Sequence, residues 1–423
     1  MKIILYPEQK EWAALTKRPA LDNSSLEAAV SGVLNTVKQK GDEALKTFTS
    51  RFDAVDIEDL VASAEEIAGA AGLLGSNLKN AILQAKENIY RFHISQIAAI
   101  EKIETMPGVT CWRKPVGIEK TGLYIPGGSA PLFSTVLMLG IPASIAGCKE
   151  IILCTPPGKD GKINPAILFA AQTAGITKVF KVGGAQAIAA MAYGTQTIPA
   201  VYKIFGPGNQ YVTCAKQMVQ REGVAIDMPA GPSEVCVLAD ETAEPGFIAA
   251  DLLSQAEHGA DSQVLFVSTS AILAEKVNAA LDKQLASLPR KDIAITALAN
   301  SKAIIVKNTE EAIALINEYS PEHLIISCDN DESISEKIIN AGSIFLGNYS
   351  PESVGDYASG TNHTLPTNAF AKAYSGVSVD SFVKKITFQK LSKQGLERIA
   401  DTVILMAEAE GLQAHANAVK VRL

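Results

Sequence analysis

EIILCTPPGKDGKINPAILFAAQTAGITKVFKVGG, residues Glu150–Gly184, is the stretch that decides the fold. EIILC is a short apolar run that stops at prolines and a glycine, the mark of a strand buried on both faces. NPAILFAAQTAG follows with helical length and period, and TKVFKVGG returns to a strand that ends in glycines. Strand, helix and strand in succession form a βαβ unit, whose crossover requires a parallel sheet.

The same rhythm continues on both sides. GIEKTGLYIPGG (117–128) and YKIFGPG (202–208) read as further buried strands, and a second series follows in SEVCVLAD, SQVLFVSTS, KAIIVKN, HLIISC and GSIFLG. The predicted fold class is α/β, with two incomplete Rossmann-like (βαβ) domains in tandem, a helical amino-terminal region and a small helical carboxyl-terminal domain. SSLEAAVSGVLNTVKQKGDEALKTFTSRF opens the helical part on a serine cap, and SNLKNAILQAKENIYRFHISQI continues its period. His93 falls there and reads as a surface or packing histidine. Between the last strand and the closing helices lies GNYSPESVGDYASGTNHTLPTNAFA, a polar loop too long to be a mere connector.

Bulk properties exclude several classes of function. The 423 residues are 47% hydrophobic and 20% charged, with a net charge of -7; a nucleic-acid binder normally shows a basic face. No apolar run approaches the ~20 residues needed to span a bilayer, and the run in MKIILYPEQKEW is far too short for a signal peptide. The six cysteines are scattered without a CxxC pair, as expected of reduced thiols. A cytoplasmic protein with no nucleic-acid or membrane partner is expected.

Two sets of residues could carry chemistry. The turns YIPGGSAP, KVGGAQAIAA and FGPGNQYV each follow a strand, though none is a GxGxxG. Each by itself could be no more than a tight turn. Three at the carboxyl ends of neighbouring strands point to a dinucleotide or other phosphate ligand, because parallel sheets bind ligands at that edge.

The second set is histidine-rich: four of the five histidines, His258, His323, His363 and His415, lie in the second half of the chain among polar neighbours. In LLSQAEHGADSQ, Gln255 and His258 stand three apart, a spacing that places two helical side chains about 60° apart around the axis. With Asp356 in the long loop and His415 in the tail they make a nitrogen and oxygen donor set suited to zinc, and the absence of cysteine fits a catalytic site. Glutamine is the unusual member. Glu322 and His323, in SPEHLIISC, could activate water and accept a proton for an oxidation or a hydrolysis; the residues alone leave a solvated pair at a strand start equally open.

The motifs GLYIPGGSAPLFSTVLMLGIPA, KVGGAQAIAAMAYGT, GPGNQYV, DMPAGPSEV, SQAEHGADSQ, SPEHL, GDYASGTNHTLPT and AEAEGLQAHANAV, in this order from about residue 117 to the carboxyl terminus, closely resemble histidinol dehydrogenase. That resemblance implies an enzyme with one zinc per subunit that oxidises L-histidinol to L-histidine through L-histidinaldehyde, by two hydride transfers to NAD, as the last step of histidine biosynthesis. It implies Gln255, His258, Asp356 and His415 as zinc ligands, Glu322 as the group that activates water, and His323 as general base. Ser233, His363 and Glu410 fall on substrate-binding positions together with His323 and the metal ligands, and Tyr124, Gln186 and Asn209 fall on NAD contacts. It further implies an intertwined homodimer whose carboxyl-terminal tail completes the partner's site.

The expected division is an arm at 1–24, a first α/β domain from 25–110 and 230–370 with the zinc and catalytic residues, a second at 111–229 on the NAD side, and a helical tail at 371–423. Competing readings are a zinc-dependent dehydrogenase of another small amino or polar alcohol, a zinc hydrolase with Glu322 as base, and a binding protein with a structural zinc.

Overall fold

In the computed structural model of the protein, which describes residues 1–18, 24–127, 131–176, 178–229 and 231–423 (the side chains of 24 and 25 apart), the opening stretch folds as read. Strand Glu150–Thr155 leads through helix Pro165–Thr173 to strand Lys178–Lys181, which pairs parallel to the first. Asn164 caps the helix by accepting from Ala166 N, and Pro165 opens it, the position where a missing N–H costs nothing.

Two parallel sheets result. One is ordered Lys178–Lys181, Glu150–Thr155, Lys120–Tyr124, Lys203–Phe205, Ala225–Ile226. The other is ordered Lys2–Leu5, Lys302–Ile305, Gln263–Ser268, Glu234–Ala239, His323–Ser327, Ser343–Leu346. Counted along the chain from Lys120 or from Glu234, both place their strands third, second, first, fourth, fifth. Each therefore reverses direction between its first and fourth strands, the switch point at which doubly wound sheets form a crevice. The expected tandem of incomplete Rossmann-like units is present.

Packing at the two ends of the chain departs from the expected division. Strand Lys2–Leu5 joins the edge of the six-stranded sheet. Helices Ser24–Lys40 and Asp42–Asp53 bury Leu26, Val30, Leu34, Val37, Leu45 and Phe48 against Ile152, Phe180, Ile188 and Ile204. Helix Ser76–Ile94 buries Ile82, Ala85 and Ile89 against Leu123, Leu137 and Leu153. The helical residues after 24 thus share their hydrophobic cores with 111–229 and not with the sheet of 230–370. The reason is physical: strands buried on both faces need helices on both faces, and these apolar stripes supply the missing cover.

The tail is not wholly helical either. Val383–Leu391 is a strand, antiparallel to Val109–Gly117, which also pairs with Lys102–Met106. Trp112 stacks on Phe388 at 5.3 Å between ring centroids, the cross-strand aromatic contact that favours such a ribbon. Helices Lys393–Ala409 and Gln413–Lys420 follow and pack on each other. No described helix is long and apolar enough to cross a membrane.

Helix Ser76–Ile94 also braces the long polar loop. Asn88 Nδ2 donates to Ala358 O at 2.8 Å. His93 is 0% exposed, so of the two roles read for it the structure shows packing. Its Nδ1 donates to Ile89 O at 2.8 Å, and its Nε2 faces Asn362 Nδ2 at 3.4 Å. Asn362 Nδ2 donates also to Met138 O at 2.6 Å.

Burial holds the His93 imidazole below its ordinary range, against the opposing pull of the Ile89 carbonyl. A neutral buried histidine stabilises the fold above its unfolded pKa of about 6.5, and that contribution is lost as pH falls through the lower folded value. His93→Gln should therefore flatten the acid side of the melting-temperature profile below about pH 6.5 and cost about 1–3 kcal/mol at neutral pH. Thermal melts across that range check it; an acid slope equal to that of the parent protein contradicts it.

Candidate active site

The carboxyl edge of the five-stranded sheet faces the amino edge of the six-stranded one across a cavity of about 1110 Å³. Pro126, Gly206 and Asn209, just past strands Lys120–Tyr124 and Lys203–Phe205, line one side; Ser233 and Glu322, just before strands Glu234–Ala239 and His323–Ser327, line the other. The five-stranded sheet thus turns its carboxyl edge to the cavity, and the six-stranded sheet turns the opposite edge of its switch point to it.

Glu322 and His323 are 6% and 3% exposed. Both hang on the main chain of one neighbour: Glu234 N donates to Glu322 Oε2 at 2.9 Å, and His323 Nδ1 donates to Glu234 O at 3.1 Å. That bond fixes the ring and its tautomer, leaving Nε2 as the atom that can take a proton. Nε2 lies 3.6 Å from Asp356 Oδ1 and has no hydrogen-bond partner among the described residues. Burial disfavours charge on the imidazole, but Glu352, Glu322 and Asp356 around it outweigh burial and push it well above its usual range.

Short helix Glu352–Tyr357 presents Glu352 and Asp356 one turn apart. Ligand atoms of His323, Glu352 and Asp356 lie within 4.8 Å of one another. Burial raises the Glu352 carboxyl. Asp356 is held below the ordinary carboxylate range in spite of burial, by the His323, His363 and His258 rings. Gln255, 1% exposed at the end of helix Pro245–Ala256, has its amide oxygen 2.6 Å from Glu352 Oε1 and its amide nitrogen 2.9 Å from Glu234 N. Two oxygens that close need a cation beside them or a proton between them; without either, the amide would turn Nε2 to Glu352 and Oε1 to Glu234 N.

Three buried atoms of the cluster, His323 Nε2, Asp356 Oδ1 and Glu352 Oε2, lack partners among the described residues. Orphaned carboxylate oxygens converging beside the imidazole, with no thiol among them, fit a divalent cation such as zinc.

The expected ligands are brought together unevenly. Gln255 and Asp356 meet at this cluster through Glu352. His258 lies beyond the helix end, in a turn where His258 N donates to Gln255 O at 3.2 Å, and lines the cavity. The two residues therefore do not share a continuous helical face. His415 and Glu410 are exposed on the tail and are not among the cavity-lining residues. Glu352 was missed in the sequence, although its spacing from Asp356 in ESVGD is that of two acids on one helical face.

Ser233 and His363 both line the cavity. His363 Nδ1 donates to Asp356 O at 2.9 Å, and Nε2 accepts from Thr135 Oγ1 at 3.0 Å. Burial keeps this ring below its ordinary range. Of the residues placed on NAD contacts, Asn209 lines the cavity and caps helix Gln210–Arg221, its Oδ1 accepting from Tyr211 N and Val212 N. Tyr124 and Gln186 are 3% and 1% exposed and sit behind it; Tyr124 Oη accepts from Gly184 N at 3.0 Å, and Gln186 Nε2 has no partner among the described residues.

The cavity loop after Phe205 is clamped by a buried ion pair. Lys216 Nζ pairs with Asp227 and donates to Gly206 O at 2.8 Å, while Gly206 N donates to Asp227 Oδ2 at 2.8 Å. Gly206 has φ +129°, and a Cβ there would overlap Tyr124 O, so only glycine serves. Lys216→Met should leave a buried carboxylate uncompensated and cost about 3–5 kcal/mol. Denaturant unfolding measures this, and a loss below about 1 kcal/mol would show that the clamp carries little.

Comparison with known proteins agrees with this geometry. A family model described as histidinol dehydrogenase matches residues 16–423. A histidinol dehydrogenase from Bacteroides thetaiotaomicron is 60% identical over 423 residues, covering 100% of this chain and 99% of the relative. One from Vibrio parahaemolyticus is 51% identical over 422 residues, covering 99% and 96%. A crystal structure of histidinol dehydrogenase from Elizabethkingia anophelis superposes with a TM-score of 0.98 at 54% identity, covering 100% of this chain and 98% of that one. The chain belongs to the histidinol dehydrogenase family of oxidoreductases.

Proposed function

We propose that the protein oxidises L-histidinol to L-histidine through L-histidinaldehyde, as the last step of histidine biosynthesis, with NAD taking a hydride in each half. The observation that carries this reading is the Glu322–His323 pair, held on the Glu234 main chain between an open cavity and a cluster of orphaned ligand atoms. One zinc per subunit is assigned to Gln255, His258 and Asp356, completed by His415 of the partner subunit. Bound zinc supplies a Lewis acid that holds an imidazole and an amine without redox chemistry of its own.

His323 takes the alcohol proton at Nε2 once a bound cation offsets the Glu352, Glu322 and Asp356 charges that otherwise keep the ring protonated, and the Glu234 carbonyl steadies the ring through Nδ1 as charge appears. Glu322 keeps one oxygen on Glu234 N and has the other free to accept a proton from the water that attacks the aldehyde. Ser233 and His363, with Glu410, orient the substrate. NAD enters from the glycine-turn side of the cavity past Asn209, with Tyr124 and Gln186 behind it. Cys214 also lines the cavity, but burial raises its thiol above the ordinary range, so it makes a poor nucleophile for a thiohemiacetal route.

The tail supports the homodimer reading. Leu405, Met406 and Val421 are 67%, 61% and 67% exposed there, an apolar surface that a second copy would cover. A cytoplasmic location is part of the same reading, and the protein's six free cysteines support it. Incubation with L-histidinol and NAD, following nicotinamide reduction and histidine formation beside other amino alcohols, tests the function. Absence of reduced nicotinamide removes the dehydrogenase reading, and preference for a different alcohol removes the substrate.

A further inference from the structure

The amino-terminal segment reaches the catalytic pair from below. Helix Gln9–Leu15 ends at Thr16, whose Oγ1 donates to Trp12 O at 2.8 Å, and Lys17 O accepts from Gln263 Nε2 at 3.1 Å. This anchoring delivers Arg18 to the amino edge of the six-stranded sheet, next to its switch point. Its guanidinium forks onto Glu234, Nε to Oε1 at 2.5 Å and Nη2 to Oε2 at 2.8 Å. Nη2 also donates to Tyr319 O at 2.9 Å and Ser320 O at 3.3 Å, and the guanidinium stacks 4.2 Å over the Tyr319 ring. Glu234 Oε1 accepts in addition from Asn368 N at 2.8 Å.

Both ends of the hydrogen bonds that place Glu322 and His323 therefore depend on one side chain. Glu234, whose main chain holds the two reacting groups, is gripped by its carboxylate, which is 2% exposed. The turn that leads into Pro321 and Glu322 is gripped by its carbonyls. That turn includes Ser320, buried at 0% exposure with a left-handed φ of +56°, a conformation that a non-glycine residue keeps only when its surroundings impose it. A planar, always charged guanidinium with several donors suits this double grip; an ammonium could serve one half of it.

We propose that Arg18 is the positioning residue of the Glu322–His323 pair, acting through Glu234 and the Tyr319–Ser320 turn. This inference rests on the proposed dehydrogenase function. Arg18→Met should lower kcat about ten- to hundredfold, the loss expected when reacting groups are misplaced by around an ångström, while KM for histidinol and for NAD changes less than about threefold. Arg18→Lys, which keeps charge without the fork, should recover only part of kcat. In case Arg18→Met does not fold with Glu234 uncompensated, Arg18→Met/Glu234→Gln removes the lone charge and should stay slow, because the turn carbonyls remain unheld.

A crystal structure of the same variants gives a readout independent of turnover: the Glu322 carboxylate or the His323 ring should leave the Glu234 main chain. If both remain in place, or if they move while kcat stays within about twofold, the proposal is overturned. If the parent protein does not oxidise histidinol, the functional reading fails, and the positions of Glu322 and His323 in the variants still decide the role of Arg18.

Discussion

Glu322→Gln slows oxidation of histidinaldehyde by about 10²–10⁴-fold, the range a positioned general base contributes, and slows oxidation of histidinol far less. The asymmetry follows from what each half requires. Alcohol oxidation gives up a hydride and one hydroxyl proton, which His323 Nε2 can take. Aldehyde oxidation must first add water, and an amide cannot accept its proton. Glutamine is close in shape and keeps an oxygen to accept from Glu234 N, so the bond seen at 2.9 Å persists and His323 stays on the Glu234 carbonyl. Single-turnover measurements started from the alcohol and from the aldehyde separate the halves. Equal losses in both would mean that Glu322 serves position or charge and not water activation.

Metal removal should have the second largest effect. Chelation is expected to abolish turnover while leaving the melting transition cooperative, because the ligand cluster lies at the rim of a parallel sheet whose cores are complete without it. A zinc that merely held the fold together would behave in the opposite way, its loss unfolding the chain. His258→Ala should lower zinc affinity by more than the roughly 10–100-fold that loss of a supporting residue costs, since it removes a donor outright. Elemental analysis after dialysis measures it. Full zinc content in the variant would exclude His258 as a ligand and shift the set toward His323, Glu352 and Asp356, whose ligand atoms already lie within 4.8 Å of one another.

The sequence carries the sheets more plainly than the site. Runs such as EIILC and VLFVS are buried along nearly their whole length, and a strand covered on both faces has little choice but to read as continuous apolar residues. The amino-terminal helices are equally legible as helices, yet their period says only that one face is apolar and not which sheet receives it. VKKITFQKL is mostly exposed on its ribbon, so burial left no apolar run to reveal the strand.

At the site, Glu322, His323 and Asp356 announce themselves by residue type. Glu234 does not, because half of its role is played by its main-chain N–H and C=O, which any residue possesses. Arg18 is separated from Glu234 by 216 residues, about half of the chain, and local spacing cannot show that pairing. Gln255 and His258 were legible as a pair, but the helix ends between them, so the common direction read from their spacing is produced by a turn.

The antiparallel ribbon has a consequence for how the molecule is made. The helices from residue 24 and the strands up to residue 226 share their cores, so most of that unit can form early in synthesis, although Val377 and Phe382 complete one of the cores only later. Strand Val109–Gly117 cannot be completed then, since its partner Val383–Leu391 is made much later, and Lys2–Leu5 likewise waits for Lys302–Ile305. Pairings of such high contact order form late, and an open strand edge is an invitation to self-association in the meantime. Truncation before residue 383 would make that transient edge permanent, so aggregation of shortened chains, rather than soluble inactive protein, is the behaviour this architecture imposes.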